Sequence, residues 1–316
     1  MKKKLNLVDF FTDNVIALVL VALFVFFSLS SDKFLSVNNI FLVIRQVSVL
    51  GVVSIGAAVI TLSGGLDISL GNKMTLVALV AAHMMVNMGL NMWAAIGAAV
   101  ALSMILGLIT GLVINTFKIN PFVATLAFAT IFSGISFGLT GGYQIAHFSD
   151  SFKFISQGYI GVVPMPVLIM IVCLLVAAFV LNKTYIGKYI YTVGGNEEAA
   201  RLSGINVNAV KIGSYVVGGL LCGIAAIMMA SRLNTVSTTA GDSYTFDAMT
   251  AIMLGGVSVR GGKGKTSGIL IGILIIGVLN NGLTLIGVET FIQNIVKGVI
   301  MLAAICIDSI IYRKRG

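Results

Sequence analysis

The sequence predicts an all-α, polytopic membrane helix bundle, because it is strongly apolar, its apolar residues form long runs and its charges lie mostly between those runs. Of its 316 residues, 58% are hydrophobic and 10% are charged, whereas soluble domains carry roughly 25% charged residues. A run of about 18 or more apolar residues can cross a bilayer core about 30 Å thick. We therefore expect a single membrane domain over residues 1–316.

Hydropathy predicts about ten membrane-crossing helices. They are 14–30, 40–62, 74–88, 93–116, 122–140, 164–181, 213–231, 246–258, 266–284 and 291–311. The basic start followed by an apolar run resembles a secretory signal peptide, but further apolar segments follow almost at once. We interpret 14–30 as an uncleaved first span.

Basic residues fall unevenly on the two sides of this arrangement. With a cytoplasmic N-terminus, the inner side receives Lys2, Lys3, Lys4, Lys73, Lys118, Lys183, Lys188, Arg201, Lys211, Arg260, Lys263, Lys265, Arg313, Lys314 and Arg315. The outer side receives chiefly Lys33, Arg45, Lys153 and Arg232. The positive-inside rule therefore predicts that both termini are cytoplasmic. The net charge of +9 is explained by topology and gives no reason to expect nucleic acid as a partner.

The glycine-rich stretch 255–268, GGVSVRGGKGKTSG, invites comparison with a nucleotide-binding P-loop. The pattern G-x-x-x-x-G-K-[ST], anchored on Gly264, Lys265 and Thr266, requires a glycine where the chain has Val259. The flanking residues are long helical apolar runs and not the buried strand that a P-loop follows. We predict no ATP site here.

Two glycine-rich turns, 63–75 and 254–266, align without gaps, with Gly64 opposite Gly255 and Gly65 opposite Gly256. Both follow an inward-running span, which places both at the inner boundary. Interrupted helices at membrane depth occur where they line a cavity or are buried in protein. At the first turn, where Asp67 adjoins an apolar run, we favour an interrupted helix beside a pathway, with a plain turn as the alternative. At the second we favour a tight turn with basic anchors.

Two connections are too long to be simple turns. The outer one, 141–166, could face an external partner or lie as an amphipathic segment at the interface. The inner one, 182–211, is the longest polar stretch and the natural place for a soluble partner.

Four stretches together resemble one family, the permease subunits of bacterial ATP-binding-cassette sugar importers of the ribose, galactose and xylose type. They are LSGGLDISLG (62–71), INPFVATLAFATIFSGISFGLTGG (119–142), YIYTVGGNEEAARLSGINVNAVKI (189–212) and LGGVSVRGGKGKTSGILIGILIIGVLNNGL (254–283). The resemblance spans nearly the whole chain in order and spacing. It implies a bacterial inner-membrane protein that works with an ATPase subunit, an extracellular or periplasmic solute-binding protein and a second permease copy in a homodimer.

The resemblance also implies that the cytoplasmic loop 182–212 carries a coupling segment that docks on the ATPase. Its residues are Gly194, Gly195, Asn196, Glu197, Glu198, Ala199, Ala200 and Gly204. Acids at a helix start, alanines that propagate it and a glycine that ends it favour a short exposed helix here. An ordinary solvated loop is the alternative.

Candidates for the translocation path are polar or helix-breaking residues in or beside the spans. They are Gly64, Gly65, Asp67, Ser69, Asn120, Pro121, Thr125, Asn280 and Asn281. Hydroxyl and amide groups suit an uncharged polyol, although such groups more often join helices. A permease for nucleosides or branched-chain amino acids is an alternative. An ion-coupled secondary transporter is less favoured, because the spans offer few acids beyond Asp67, Asp247 and Asp308.

No arrangement of residues predicts chemistry. Cys173, Cys222 and Cys306 lie far apart within apolar segments, and His83 and His147 have no companion ligands. No paired carboxylates or nucleophile motif appear. We therefore predict no enzyme activity, no catalytic residues, no metal and no cofactor.

Overall fold

The computed structural model describes residues 15–313, which are mostly helical. The α-helices are α1 (Val15–Ser30), α2 (Val37–Leu62), α3 (Leu70–Ala82), α4 (Met92–Phe117), α5 (Pro121–Thr140), α6 (Asp150–Gln157), α7 (Met165–Lys183), α8 (Tyr185–Gly195), α9 (Glu197–Leu202), α10 (Val207–Leu233), α11 (Asp242–Leu254), α12 (Thr266–Leu285) and α13 (Thr290–Arg313). A π-helical turn, His83–Asn87, extends α3. The basic residues predicted at 2–4 and 314–315 lie outside the described range.

Four two-residue strands form two small antiparallel pairs. They are β1 (Ile145–Ala146), β2 (Tyr159–Ile160), β3 (Val163–Pro164) and β4 (Thr235–Val236). β1 pairs with β4 and β2 pairs with β3. The predicted all-α class is confirmed, because these pairs only tie connections together.

Six described helices, α2, α4, α5, α7, α10 and α12, are long and apolar enough to cross a membrane. α11 has 13 residues, about 20 Å at 1.5 Å per residue, and is too short to cross alone. α3 also has 13 residues before its π-helical turn. The chain is thus a polytopic helical membrane protein, while the number of ten crossings stays a prediction. The span predicted at 246–258 is displaced in the structure, because α11 begins at Asp242 and ends before a Gly-Gly turn.

Helix α10 forms the centre of the bundle, packed against α2, α3 and α4. A Cβ atom added at Gly107 of α4 would overlap the Tyr215 carbonyl oxygen of α10, and one at Gly219 would overlap the carbonyl oxygen of Ser103. The Ser103 hydroxyl donates a hydrogen bond of 2.6 Å to the Gly219 carbonyl. Small residues therefore let these helices approach closely, as is typical of helix packing in membranes.

The N-terminal ends of α3 and α11 meet through a reciprocal contact. The Gly71 amide donates to the Thr245 hydroxyl at 2.8 Å, and the Gly241 amide donates to the Thr75 hydroxyl at 2.9 Å. A Cβ at either glycine would overlap the other glycine's carbonyl oxygen. Each threonine satisfies an amide at the start of the opposite helix, which has no partner within its own helix. The contact thus buries two helix starts without leaving these donors unpaired.

The two glycine-rich turns have the same geometry, but one residue out of the predicted register. Gly64 after α2 and Gly256 after α11 have φ of +80° and +81°. The next residues, Gly65 and Val257, each donate an amide hydrogen bond back into the preceding helix, which completes a Schellman cap. The predicted pairing of Gly64 with Gly255 is therefore wrong. Gly64 corresponds to Gly256, because the left-handed position defines the turn.

Connections that the predicted topology assigns to one side of the membrane lie together. The connection 141–164 contacts β4 through β1, and its Gln157 carbonyl accepts a hydrogen bond of 3.0 Å from Arg45. The turns after α2 and α11 contact each other and the end of α8. This grouping is what alternating membrane crossings require.

Candidate functional site: the glycine junction and the coupling helix

The end of α8 is wedged between the two glycine-rich turns. A Cβ atom at Gly194 would overlap the Leu62 carbonyl oxygen and lie 2.6 Å from the Gly262 amide nitrogen. The Gly262 amide donates to that same Leu62 carbonyl at 3.0 Å. Three segments that are distant in sequence therefore meet with backbone against backbone.

The remaining glycines close the same contact. A Cβ at Gly261 would lie 2.7 Å from the Gly64 backbone, and one at Gly262 would overlap the backbone of Gly195. Gly261 and Gly262 also have φ of +87° and +68°, which residues with side chains rarely adopt. We call residues 62–65, 194–195 and 261–262 the glycine junction. It joins both turns directly to the residues that precede α9.

The short helix predicted within the coupling segment is present as α9, while its coupling role stays a prediction. Asn196 caps it, its side-chain oxygen accepting from the Ala199 amide at 2.9 Å. Gly204, with φ of +79°, follows its last turn and begins a Schellman cap. The predicted start, Glu197 and Glu198, and the predicted stop at Gly204 are therefore confirmed as structure.

One side of α9 is packed and the other is open. Ala200 is fully buried against Val193 and Val207. Leu202, by contrast, is 82% exposed, and no atom lies within 4 Å of a Cβ built at Gly204. An exposed leucine beside a small residue is a surface that a partner can cover. Sequence reasoning missed Leu202, although its place in the last turn was a usable signal.

The charges of α9 form a local network. Glu197 pairs with Lys211 of α10, and both Glu197 and Glu198 pair with Arg201. Glu197, Arg201 and Lys211 border a groove of about 630 Å³ between α9 and the α4–α5 connection, where Lys118 also lies. Exposed ion pairs contribute little to stability, on the order of 0–1 kcal/mol. Their arrangement gives this surface alternating charge that a complementary partner can recognise.

Tyr191 ties α8 to the second turn. Its hydroxyl donates a hydrogen bond of 3.0 Å to the Gly264 carbonyl. Burial raises the pKa of the Tyr191 phenol above its usual value, so the hydroxyl remains a neutral donor at physiological pH. The segment before α9 is thus held by a side chain as well as by the glycine junction.

Asp67 lies in a closed ion pair. Its carboxylate is 2.8 Å from the Lys73 ammonium, and both side chains are 0% exposed. The Ser69 amide and hydroxyl donate to the other carboxylate oxygen. Lys73, counted at the inner surface from the sequence, is buried instead, because the chain turns back into the bundle after α2.

The start of α5 supports this turn. The Thr125 hydroxyl accepts from the Ile68 amide at 3.3 Å, while Asn120 caps α5 and Pro121 occupies its first turn. On the other side, the Tyr215 hydroxyl donates to the Leu66 carbonyl at 3.0 Å. The structure therefore brings together Gly64, Gly65, Asp67, Ser69 and Thr125, the first group of predicted path residues.

Asn280 and Asn281 lie elsewhere. The Asn281 amide exchanges two hydrogen bonds, of 2.8 and 3.0 Å, with the Asn39 amide of α2. Asn280 donates to Asp247 of α11 at 3.0 Å. Asn281 thus joins two helices, whereas Asn280 belongs to a separate polar group with Asp247 and Lys297, which is 3.0 Å from Asp247.

A polytopic helical bundle with a helix-bearing polar connection is an architecture found among membrane permeases. The chain belongs to a permease family, described as the branched-chain amino acid transport system / permease component, whose model matches residues 39–305.

The chain is also similar to individual permeases that are named for the sugar they import. The chain is 41% identical to the ribose import permease protein of Bacillus subtilis strain 168, covering 89% of this chain and 88% of the relative. It is 38% identical to that of Haemophilus influenzae, covering 94% and 93%. It is 30% identical to the xylose transport system permease protein of Escherichia coli K12, covering 99% and 94%. No solved structure matches the chain.

These matches confirm the resemblance drawn from the four sequence stretches. The family and its members are transport components, so this chain is a permease of the inner membrane and not an enzyme.

Proposed function

We propose that this chain forms the membrane pathway of an ATP-binding-cassette importer that moves a monosaccharide inward. The relatives named for ribose and xylose import, matched over most of both chains, favour a pentose over the nucleosides and branched-chain amino acids considered from the sequence. The whole chain serves as one permease domain. ATP hydrolysis takes place on a separate ATPase subunit, and an external solute-binding protein delivers the solute.

Both termini face the cytoplasm in this proposal, with ten crossings. The basic residues of 183–211 and 260–265 then lie inside, as the positive-inside rule requires. Because Lys73 is buried, we do not count it at the inner surface, and the excess of basic residues on that side remains.

The segment 182–212 is proposed as the coupling loop, with α9 as the docking helix. The observation that carries this proposal is the glycine junction, in which Gly194 and Gly195 touch both turns while α9, immediately after them, presents exposed residues. Force applied to α9 by a partner would reach the turns after α2 and α11 through backbone contacts that have no side chains to absorb it. Two ATP sites that close together need two docking helices, which favours a homodimer of the permease.

The test is co-purification of the ATPase with permease variants, together with solute-stimulated ATP hydrolysis in proteoliposomes. Glu198→Lys should weaken the complex by about 1–3 kcal/mol, the range of an interface residue whose loss matters. Asp150→Lys is the matched control, because Asp150 also begins a short helix and pairs with a basic residue three positions later. The control should leave the complex unchanged.

A stronger variant replaces residues 197–200 by Gly-Ser repeats. We expect this variant to insert and to lose both ATPase binding and stimulated hydrolysis. Survival of both functions would show that α9 is not the coupling helix.

A further inference from the structure

A second polar region lies between α11 and α13, away from the glycine junction. It is a pocket of about 620 Å³, whose lining includes Thr239, Asp242, Ser243, Phe246, Asn294 and Lys297. Asn294 and Lys297 are the fifth and eighth residues of α13, about 6 and 10 Å from its start at 1.5 Å per residue. In the proposed topology this half of α13 is the outer half, where an incoming solute arrives first.

The charges at the floor of the pocket compensate each other. Lys297 is 3.0 Å from Asp247, and their side chains are 13% and 10% exposed. Asn280 donates a further hydrogen bond to Asp247 at 3.0 Å. Because a buried charge is stable only when paired, this pair is fixed in place. The pair presents polar N–H and C–O groups to the pocket, and its two opposite charges sum to zero.

The pocket keeps hydrogen-bonding capacity that the described chain does not use. Within residues 15–313, the side chains of Ser243 and Asn294 have no hydrogen-bond partner. The buried carbonyl oxygen of Asn280, which lies outside the lining and donates to Asp247 through its amide nitrogen, is also unpaired. Polar side chains in membrane helices face protein or a water-filled space and not lipid. In the proposed importer this side of α11 and α13 therefore faces a water-filled space or the second permease copy, and not lipid.

The lining has the composition that an uncharged sugar requires. The lining offers both donors and acceptors, as hydroxyl groups need, and it includes the Phe246 ring, which is 61% exposed. Binding sites for small molecules combine a few directed polar groups with aromatic surface, and the C–H face of a sugar ring can pack on such a ring. The Lys297–Asp247 pair offers a charged solute no unpaired charge, and the other carboxylate of the lining, that of Asp242, accepts a hydrogen bond of 3.4 Å from the Asn72 amide.

We propose that this pocket is a solute-contact site, in which Asn294 and Lys297 hydrogen-bond the hydroxyl groups of a monosaccharide passing through the outer half of the pathway. The proposal rests on the importer function proposed above. It assigns Asn294, Lys297, Ser243 and Phe246 to transport, of which none was predicted from the sequence.

The first test is pentose uptake by the reconstituted importer, containing permease, ATPase and binding protein. Asn294→Leu keeps the side-chain volume and removes the amide, so uptake efficiency should fall about three- to tenfold, the loss expected for one hydrogen bond to a neutral group. Val299→Leu is the control, because Val299 lies on the opposite side of α13 and is 62% exposed. It should transport at the wild-type rate. Equal rates for both variants would overturn the pocket assignment.

The second test is protection of a cysteine at position 294. In a chain whose native cysteines are replaced by serine, a small water-soluble thiol reagent should modify Asn294→Cys and spare Val299→Cys. Binding protein loaded with D-ribose should slow the modification more than unloaded binding protein. Absence of any difference between loaded and unloaded protein would contradict the proposal. If the wild-type importer takes up neither D-ribose nor D-xylose, the proposed pentose import is wrong as well. If the wild type takes up pentose and Asn294→Leu does so equally well, only the assignment of the pocket is wrong.

Discussion

At the scale of single residues, the Asp67–Lys73 pair shows how a charge can be structural inside a membrane bundle. Asp67 next to an apolar run predicts a transport residue, since acids in spans are rare. In the structure both of its oxygens accept hydrogen bonds and it has no exposed surface. We therefore assign it to holding the turn after α2, while its place on the translocation path stays a prediction.

Replacing Asp67 alone should destabilise the protein. Asp67→Asn leaves the Lys73 ammonium buried without its counter-charge, which typically destabilises by about 3–5 kcal/mol. Thermal unfolding of the detergent-solubilised permease, followed by size-exclusion chromatography, should show a clearly lower midpoint. The double variant Asp67→Asn with Lys73→Met removes both charges and should recover part of the loss. A single variant with wild-type stability and no uptake would restore Asp67 to a role in transport.

Removing the hydrogen bond of the Tyr191 hydroxyl should have a smaller effect on stability. Tyr191→Phe removes the donor to the Gly264 carbonyl and leaves packing nearly unchanged, so we expect a stability loss of about 1 kcal/mol. Stimulated ATP hydrolysis should fall relative to uncoupled hydrolysis, because α8 is held less firmly to the second turn. Tyr189→Phe is a suitable control, since Tyr189 makes no side-chain hydrogen bond within the described chain. Unchanged coupling in Tyr191→Phe would show that the glycine junction alone fixes this segment.

At the scale of elements, two adjacent glycines of the glycine junction differ in the room that they leave for a side chain. Gly194→Ala would place a methyl group against the Leu62 carbonyl, whereas Gly195→Ala would meet nothing within 4 Å. We expect Gly194→Ala to reduce solute-stimulated ATP hydrolysis strongly and Gly195→Ala to leave it near wild type. ATPase co-purification checks that both variants still assemble. Equal activities would mean that the close contact transmits nothing.

The reciprocal contact between α3 and α11 gives a second prediction for elements. Thr245→Val leaves the buried Gly71 amide without its acceptor, and an unsatisfied buried donor destabilises by about 1–3 kcal/mol. Thr238→Val is a comparable exchange outside this contact and should be nearly neutral. Unfolding midpoints of the two variants compare the effects. Equal midpoints would show that the two half-length helices are held by packing alone.

Most of the helices could be predicted from the sequence. Hydropathy located the long helices, and the acids, the alanines and Gly204 predicted α9, because helix starts and stops are local signals. The register between the two turns could not be read, since Gly64-Gly65 and Gly255-Gly256 allow either glycine to take the positive φ that the structure gives to Gly64 and Gly256. The partner of Asp67 was missed because Lys73 was placed by charge alone. The contact of Gly71 with Gly241 depends on packing between residues 170 positions apart.

At the scale of the whole molecule, the proposed topology assigns every connection to a side. Asn196→Cys should react with a membrane-impermeant reagent only from the cytoplasm, and Asp150→Cys only from outside, in a chain whose exposed native cysteines are replaced. The control is an equal reaction of both after detergent solubilisation. Reaction of both positions from the same side would exclude alternating crossings between them.

The importer proposal is tested most directly by pentose uptake into proteoliposomes containing this permease, its ATPase and its binding protein. Uptake of D-ribose or D-xylose should require ATP on the ATPase side of the membrane. It should fall in Glu198→Lys and stay at the wild-type rate in Asp150→Lys. Ion gradients without ATP should support none. Pentose uptake by the permease alone on an ion gradient would contradict the proposal that ATP drives transport through α9.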